Sequence, residues 1–131
     1  MDYRKKKLCE NIRLILFRKK MYQVRTYSID RLAIDLGVDA HVISDTIREC
    51  YNKSYDDFVN CYRIQEAVTL MKDKRFQDVT SVEMSFMVGF KTTASYEQAF
   101  RKMEHMAPGD YLRKIRQNRQ IAHATLAHKV A

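Results

Sequence analysis

The chain has 131 residues, 46% of them hydrophobic and 31% charged, and a formal net charge of +8. That length suits one compact unit or two very small ones sharing an element, and a single proline with three glycines leaves few turns, so an all-helical chain is favoured over one built from strands. No uninterrupted apolar stretch approaches the roughly 18 residues that cross a bilayer, and the basic start is not followed by a signal-peptide core. A soluble, cytoplasmic chain is expected.

Residues 1–27 open with Arg4-Lys5-Lys6-Lys7, continue with Leu8, Ile12, Ile15 and Leu16 at helical spacing, and reach Arg18-Lys19-Lys20. This is a first, basic helix. Its charged run has two readings: the solvated face of a packing helix, or a contact with phosphate or a membrane surface. If the chain was cut from a longer protein, Arg4 to Lys7 would be the join.

From Ser28 to Cys50 the pattern is that of two helices and a turn. Ser28 is a candidate cap, Ile29, Leu32, Ala33 and Leu36 form a stripe, Gly37 ends the first helix, and Val42, Ile43, Thr46, Ile47 and Cys50 form a second stripe. Ser54, with Asp57 three residues on, signals another start, and Tyr55 to Lys72 suits a single helix of about 18 residues. In it Phe58, Cys61, Tyr62, Ala67, Val68 and Met71 are expected to anchor both halves of the chain. The charged stretch Lys72 to Asp78 reads as a loop.

A second helix-turn-helix runs from Thr80 to Tyr111. Thr80 and Glu83 form a capping box; Met84, Met87 and Val88 share a face, and Gly89 supplies the left-handed residue that ends a helix. Thr93 to Glu104 then carries Tyr96, Ala99, Phe100 and Met103 inward, with polar residues between them. Ala33 and Ser85 correspond, each four residues before its glycine, where a small side chain lets two helices approach. Pro108 opens a closing helix whose first turn holds Asp110. The Ala/His-rich end to Ala131 resembles a tail that continues as helix or frays.

Cys9, Cys50 and Cys61 are odd in number, lack Cys-x-x-Cys spacing and fall on predicted helices, so they read as buried or half-buried thiols rather than a disulfide framework or a zinc site. The four histidines are scattered, and no metal or other cofactor is expected. Charge is uneven along the chain. Lys and Arg set against Asp and Glu give +7 over residues 1–27, −4 over 28–60, 0 over 61–87 and +5 over 88–131. Since phosphate neutralisation dominates affinity for duplex DNA, the second motif and the N-terminal segment are expected to supply most of any such binding.

Val88-Gly89-Phe90, the Tyr96 to Phe100 spacing, Met106-x-Pro108-x-x-Tyr111, and Arg63-Ile64 opening Glu66-Ala67-x-x-Leu70 together resemble the C-terminal DNA-binding module of AraC/XylS-family transcription regulators. The resemblance covers roughly Tyr27 to Arg116. It implies an all-α fold of about seven helices, with two helix-turn-helix subdomains at 28–54 and 77–117 joined by a linker helix and loop at 55–76, after the basic helix at 1–27 and before a tail at 118–131. Three positions depart from the family pattern: Ala107 stands where a cap threonine is usual, Ser81 where a branched aliphatic residue is common, and Asp45 where arginine is common.

Carried over residue by residue, the family's base-reading positions fall on His41, Ser44 and Asp45 in the first motif and on Thr93, Ser95, Glu97 and Gln98 in the second. Gln98 can pair two-pronged with adenine, and Glu97 can accept from cytosine. Lys91, Thr92, Arg101 and Lys102 are the expected phosphate contacts. The implied function is sequence-specific double-stranded DNA binding in adjacent major grooves, in bacterial transcription activation, with RNA polymerase as a partner and a sensor domain elsewhere, membrane-anchored if the chain is the cytoplasmic end of a longer regulator. The module itself is expected to be monomeric, to be nucleoid-associated and to hold no small-molecule site. A protein-interaction module with an acidic first motif is the alternative. An enzyme is not expected, because neither a four-cysteine zinc cluster nor an activated nucleophile motif is present.

Overall fold

The computed structural model describes the backbone over residues 2–130 and side chains over 2–126. Asp2 caps the first helix, its carboxylate accepting from the Lys5 N–H at 2.9 Å, and α1 runs over Tyr3–Arg13. A wider π-type turn, Leu14–Arg18, extends it and keeps Leu16, like Ile12, fully buried. Lys20 then adopts left-handed backbone (φ 56°) and a 3-10 turn covers Met21–Gln23. The expected basic helix therefore stops short of residue 27.

Ser28 accepts from the Arg31 N–H at 3.2 Å and starts α2 (Ile29–Leu36), which ends at Gly37 with φ 68°. α3 spans Ala40–Tyr51 and stops at Asn52, also left-handed at φ 53°. Ser54 caps α4, Tyr55–Met71, through the Asp57 N–H at 3.1 Å; its 17 residues fall one short of the expected length. Inside the charged loop lies a short 3-10 turn, Lys74–Phe76. Both halves of the Thr80–Glu83 capping box close on α5 (Ser81–Val88), and Gly89 leaves it at φ 104°. α6 covers Thr93–Glu104. α7 runs from Pro108 to Val130 with Asp110 in its first turn, so the tail continues as helix; Ala131 lies outside the described residues. Seven α-helices and no strand make up the described residues, and none of these helices is long and apolar enough to cross a membrane.

Two cores form, one per helix pair. Ile12, Leu16, Leu32, Ile43 and Ile47 build the first; Met84, Val88, Phe90, Tyr96 and Phe100 build the second. α4 serves both. Its first half sends Phe58 and Val59 into the first core, and its second half sends Ile64, Ala67 and Met71 into the second. Ala33 and Ser85 are 7% and 1% exposed, as small residues at a close helix approach should be, and the Ser85 hydroxyl donates to the Val82 carbonyl at 2.7 Å.

Residues 19–27 are a strap that ties the halves together. Arg63 of α4 donates from Nε to the Tyr22 carbonyl at 2.8 Å, Gln23 donates to Glu66 at 2.5 Å, and the Tyr22 hydroxyl donates to the same carboxylate. Arg25 reaches further, donating to the carbonyls of Phe90 at 2.8 Å and Lys91 at 2.6 Å while its guanidinium lies 3.9 Å from the Phe86 ring centre. The strap runs hard against Gly89. A Cβ there would strike the Tyr22 carbonyl and stand 2.8 Å from Gln23 Cα.

The cysteines correct the expectation of thiols only. Cys9 of α1 and Cys50 of α3 form a disulfide across 41 residues, their Cα atoms 6.9 Å apart, while Cys61 is a free, half-buried thiol. Spacing along the chain cannot reveal such a pair, because it is made by α1 lying beside α3. In the chain-entropy account, closing a loop of this size stabilises the fold by about 4 kcal/mol.

Candidate nucleic-acid interface

At the start of α6 the Thr92 hydroxyl accepts from the Ser95 N–H at 3.0 Å and donates to Ser95 Oγ at 2.8 Å. The cap fixes the first turn, whose other N–H groups favour an anion in front of them. Tyr96, Ala99 and Phe100 are buried, Tyr96 packing edge-on against Phe90 at 5.6 Å. By the 100° step of a helix the opposite face carries Ala94, Glu97, Gln98 and Arg101, and all four are exposed. Ser95 is exposed too. Thr93 is half-buried, and its hydroxyl lies 3.4 Å from Ser85 Oγ, turned towards α5.

Of the expected phosphate contacts, Lys91, Thr92 and Arg101 are exposed at the rim of this face. Lys102, the fourth expected phosphate contact, is engaged within the fold. Its ammonium sits 3.0 Å from both carboxylate oxygens of Asp57 at the start of α4, so it clamps the second motif to the linker helix. Such an exposed pair stabilises weakly, about 0–1 kcal/mol. Phosphate contact by Lys102 would have to break it.

On α3, Ile43, Thr46 and Ile47 point inward, and the Thr46 hydroxyl is satisfied by the Val42 carbonyl at 2.7 Å. His41, Asp45 and Arg48 are exposed and Ser44 is half-buried, so the expected readers share one outward strip. Asp45 makes no ion pair with Arg48 among the described residues. Its neighbour Glu49 binds Lys5 of α1 at 3.0 Å instead. The strips differ in sign: α6 is rimmed by Lys91 and Arg101, α3 by Asp39 and Asp45.

Between the two motifs opens a polar cleft of about 530 Å³, lined among others by Arg25, Asp57, Arg63, Lys91, Gln98 and Lys102. Tyr55 also lines it, its phenol pushed up to about 12 by burial. Gln98 thus stands where the α6 strip meets the cleft.

Two helix pairs, each ending its first helix in a left-handed glycine and each presenting a polar strip on its second, are two copies of one recognition device. A family model described as a helix-turn-helix domain matches residues 32–114, from α2 through the first turns of α7. The chain belongs to the AraC-type helix-turn-helix family. This is a family of DNA-binding transcription regulators, and its domain implies double-stranded DNA as the ligand. No curated protein sequence matches the chain significantly.

Solved structures share the AraC-type fold. The chain is similar to the C-terminal domain of the two-component response regulator yesN from Fusobacterium nucleatum, with 19% identity, 82% of this chain and 96% of that one covered, and a TM-score of 0.67. It is similar to the C-terminal domain of AraT, a response regulator from Geobacillus stearothermophilus, with 20% identity, 79% and 84% covered, and a TM-score of 0.68. A DNA-binding transcriptional dual regulator from Escherichia coli K-12 follows with 17% identity, 82% and 90% covered, and a TM-score of 0.65. At these identities the likeness shows the fold alone.

Sequence reasoning passed over Ala94, whose methyl group is exposed in the first turn of α6 and is of a kind that packs on thymine methyls. An alanine in a helix carries no signal of its own. It also passed over Arg25 and Asp57 as braces, because their partners lie 65, 66 and 45 residues away.

Proposed function

We propose that this AraC-type chain binds its operator in two successive major grooves, with α6 as the principal reader and α3 as a weaker second one. Ser95, Glu97 and Gln98 read base edges from α6, with Thr93 at the margin; His41, Ser44 and Asp45 do so from α3. Lys91, Thr92 and Arg101 hold phosphates, and Lys102 joins them when Asp57 releases it. The function is transcription activation in a bacterial cytoplasm, with RNA polymerase as partner, a sensor domain outside this chain, and a module that acts as a monomer because it already carries two reading helices.

One observation carries this reading: both strips sit on helices bolted to the same strut. The 17 residues of α4 span roughly 26 Å, comparable with the about 34 Å between successive faces of a B-form groove. Helix-turn-helix geometry puts the N-terminal half of each second helix against base edges, and there the exposed polar residues of α3 and α6 are found.

The test is selection of binding sites from random duplex, followed by retardation on the selected site and on random DNA. Gln98→Ala is expected to change the preferred base at one position and to cost about 1–3 kcal/mol of discrimination there. Arg101→Ala should weaken binding to all sequences alike. If the wild type prefers no sequence, or Gln98→Ala keeps the same site with the same margin, base reading by α6 is wrong and the acidic first motif would point to a protein partner.

A further inference from the structure

The two helix-turn-helix motifs differ in what covers the outer face of their first helix and turn. Counted from the turn glycines, Ile34 of α2 corresponds to Phe86 of α5, each three residues before its glycine, and Val38 corresponds to Phe90, the residue after it. In the second motif that face is occupied by the strap. The backbone of Tyr22 and Gln23 lies against Gly89, and the Arg25 guanidinium covers the Phe86 ring while donating to the Phe90 carbonyl at 2.8 Å.

In the first motif the same face is bare. Gly37 takes the same left-handed exit, yet nothing stands within 4 Å of a Cβ built on it. Ile34 is 71% exposed, and the Val38 carbonyl accepts no hydrogen bond among the described residues. Ile34, Gly37 and Val38 line an open concavity of about 680 Å³, together with Asp30 and Asp39. Neither carboxylate has an ion pair or a side-chain hydrogen bond among the described residues. The second motif has Val82 and the cap Thr92 at those two places, so the bare face is the acidic one.

We infer that this face of the first motif docks a short, non-helical, arginine-bearing segment of a partner protein, as the strap docks on the second. The segment's backbone lies on Gly37, its arginine crosses Ile34 to the Val38 carbonyl, and Asp30 and Asp39 hold the charge. The strap of a second copy is already engaged on its own Gly89, so the segment comes from another polypeptide. Docking leaves α3 free to read DNA, just as the strap leaves Ser95, Glu97 and Gln98 exposed on α6. The site therefore adds a partner to the DNA-binding reading and does not depend on it.

The probe is a synthetic peptide with the strap sequence, residues 20–27, carrying a photo-reactive group in place of Val24 and added to the full chain without DNA. Crosslinks are expected within residues 30–39, because the chain's own strap, at high effective concentration, keeps the peptide off the second motif. Ile34→Arg, a change at an exposed position, should weaken peptide binding about tenfold or more. A peptide with alanine for its arginine should lose about tenfold, the equivalent of one charge-assisted hydrogen bond. Four results would each overturn the docking site: no crosslink, crosslinks confined to residues 86–91, an Ile34→Arg chain of wild-type helicity that binds as the wild type does, or equal binding of a scrambled peptide of the same charge. So would a wild-type dimer that Ile34→Arg dissociates, since a second copy would then cover the face. None of these results bears on duplex binding, which retardation measures separately.

Discussion

Gly37 and Gly89 stand at equivalent turns and are both left-handed, at φ 68° and 104°, yet their surroundings separate them. Nothing lies within 4 Å of a Cβ built on Gly37, whereas one on Gly89 meets the backbone of Tyr22 and Gln23. At the first position an added methyl costs only backbone strain, about 1–2 kcal/mol; at the second it must also push the strap aside. Gly37→Ala is therefore expected to lower unfolding stability by about 1 kcal/mol and Gly89→Ala by more than about 3 kcal/mol. Urea denaturation of the two variants checks this, and equal losses would mean that the strap yields freely.

At the scale of elements, the strap and α4 decide how the two motifs are set relative to each other. Arg25 ties the strap to the second motif: it holds two carbonyls at 2.8 and 2.6 Å, and its guanidinium lies over Phe86. Arg25→Ala should cost about 1–3 kcal/mol, from two charge-assisted hydrogen bonds and the ring contact. Arg25→Lys should recover little, because a compact ammonium cannot hold both carbonyls and lie flat on a ring. Binding should respond in a pattern of its own. A duplex with both half-sites should lose more affinity to Arg25→Ala than one with the second half-site alone, since only the former needs both motifs in register; parallel titrations of the two duplexes measure this.

For the whole molecule, charge sets where DNA is gripped. Residues 88–131 carry +5 and residues 28–60 carry −4, so footprinting of the wild type is expected to find strong protection over one groove and faint protection over its neighbour. Asp45 is exposed on the α3 strip and makes no ion pair with Arg48 among the described residues. Asp45→Asn should raise affinity for random duplex and Asp45→Arg should raise it further, since the second change adds a phosphate contact as well as removing repulsion. Weaker binding by both variants, with equal protection of both half-sites, would mean that the carboxylate accepts a hydrogen bond from a base.

What could be read from the sequence is whatever a few neighbouring residues decide. Capping is a contact across three residues, so Ser28, Ser54 and the Thr80–Glu83 box announced their helices; helical spacing put Ile43, Ile47, Tyr96 and Phe100 in cores; and a left-handed exit announced Gly37 and Gly89. The exposed strips on α3 and α6 followed from the same periodicity, together with the family resemblance. Contacts between residues 41 or more positions apart were decided only by the tertiary structure: Cys9 with Cys50, Lys5 with Glu49, Arg25 with Phe90, Lys102 with Asp57. No spacing rule relates such residues, because the packing of α1 on α3 and of the strap on Gly89 sets their distance. For that reason neither the pairing of Lys102 with Asp57 nor the disulfide between two of the three expected thiols was legible along the chain, and of the cysteines Cys61 alone stays a thiol.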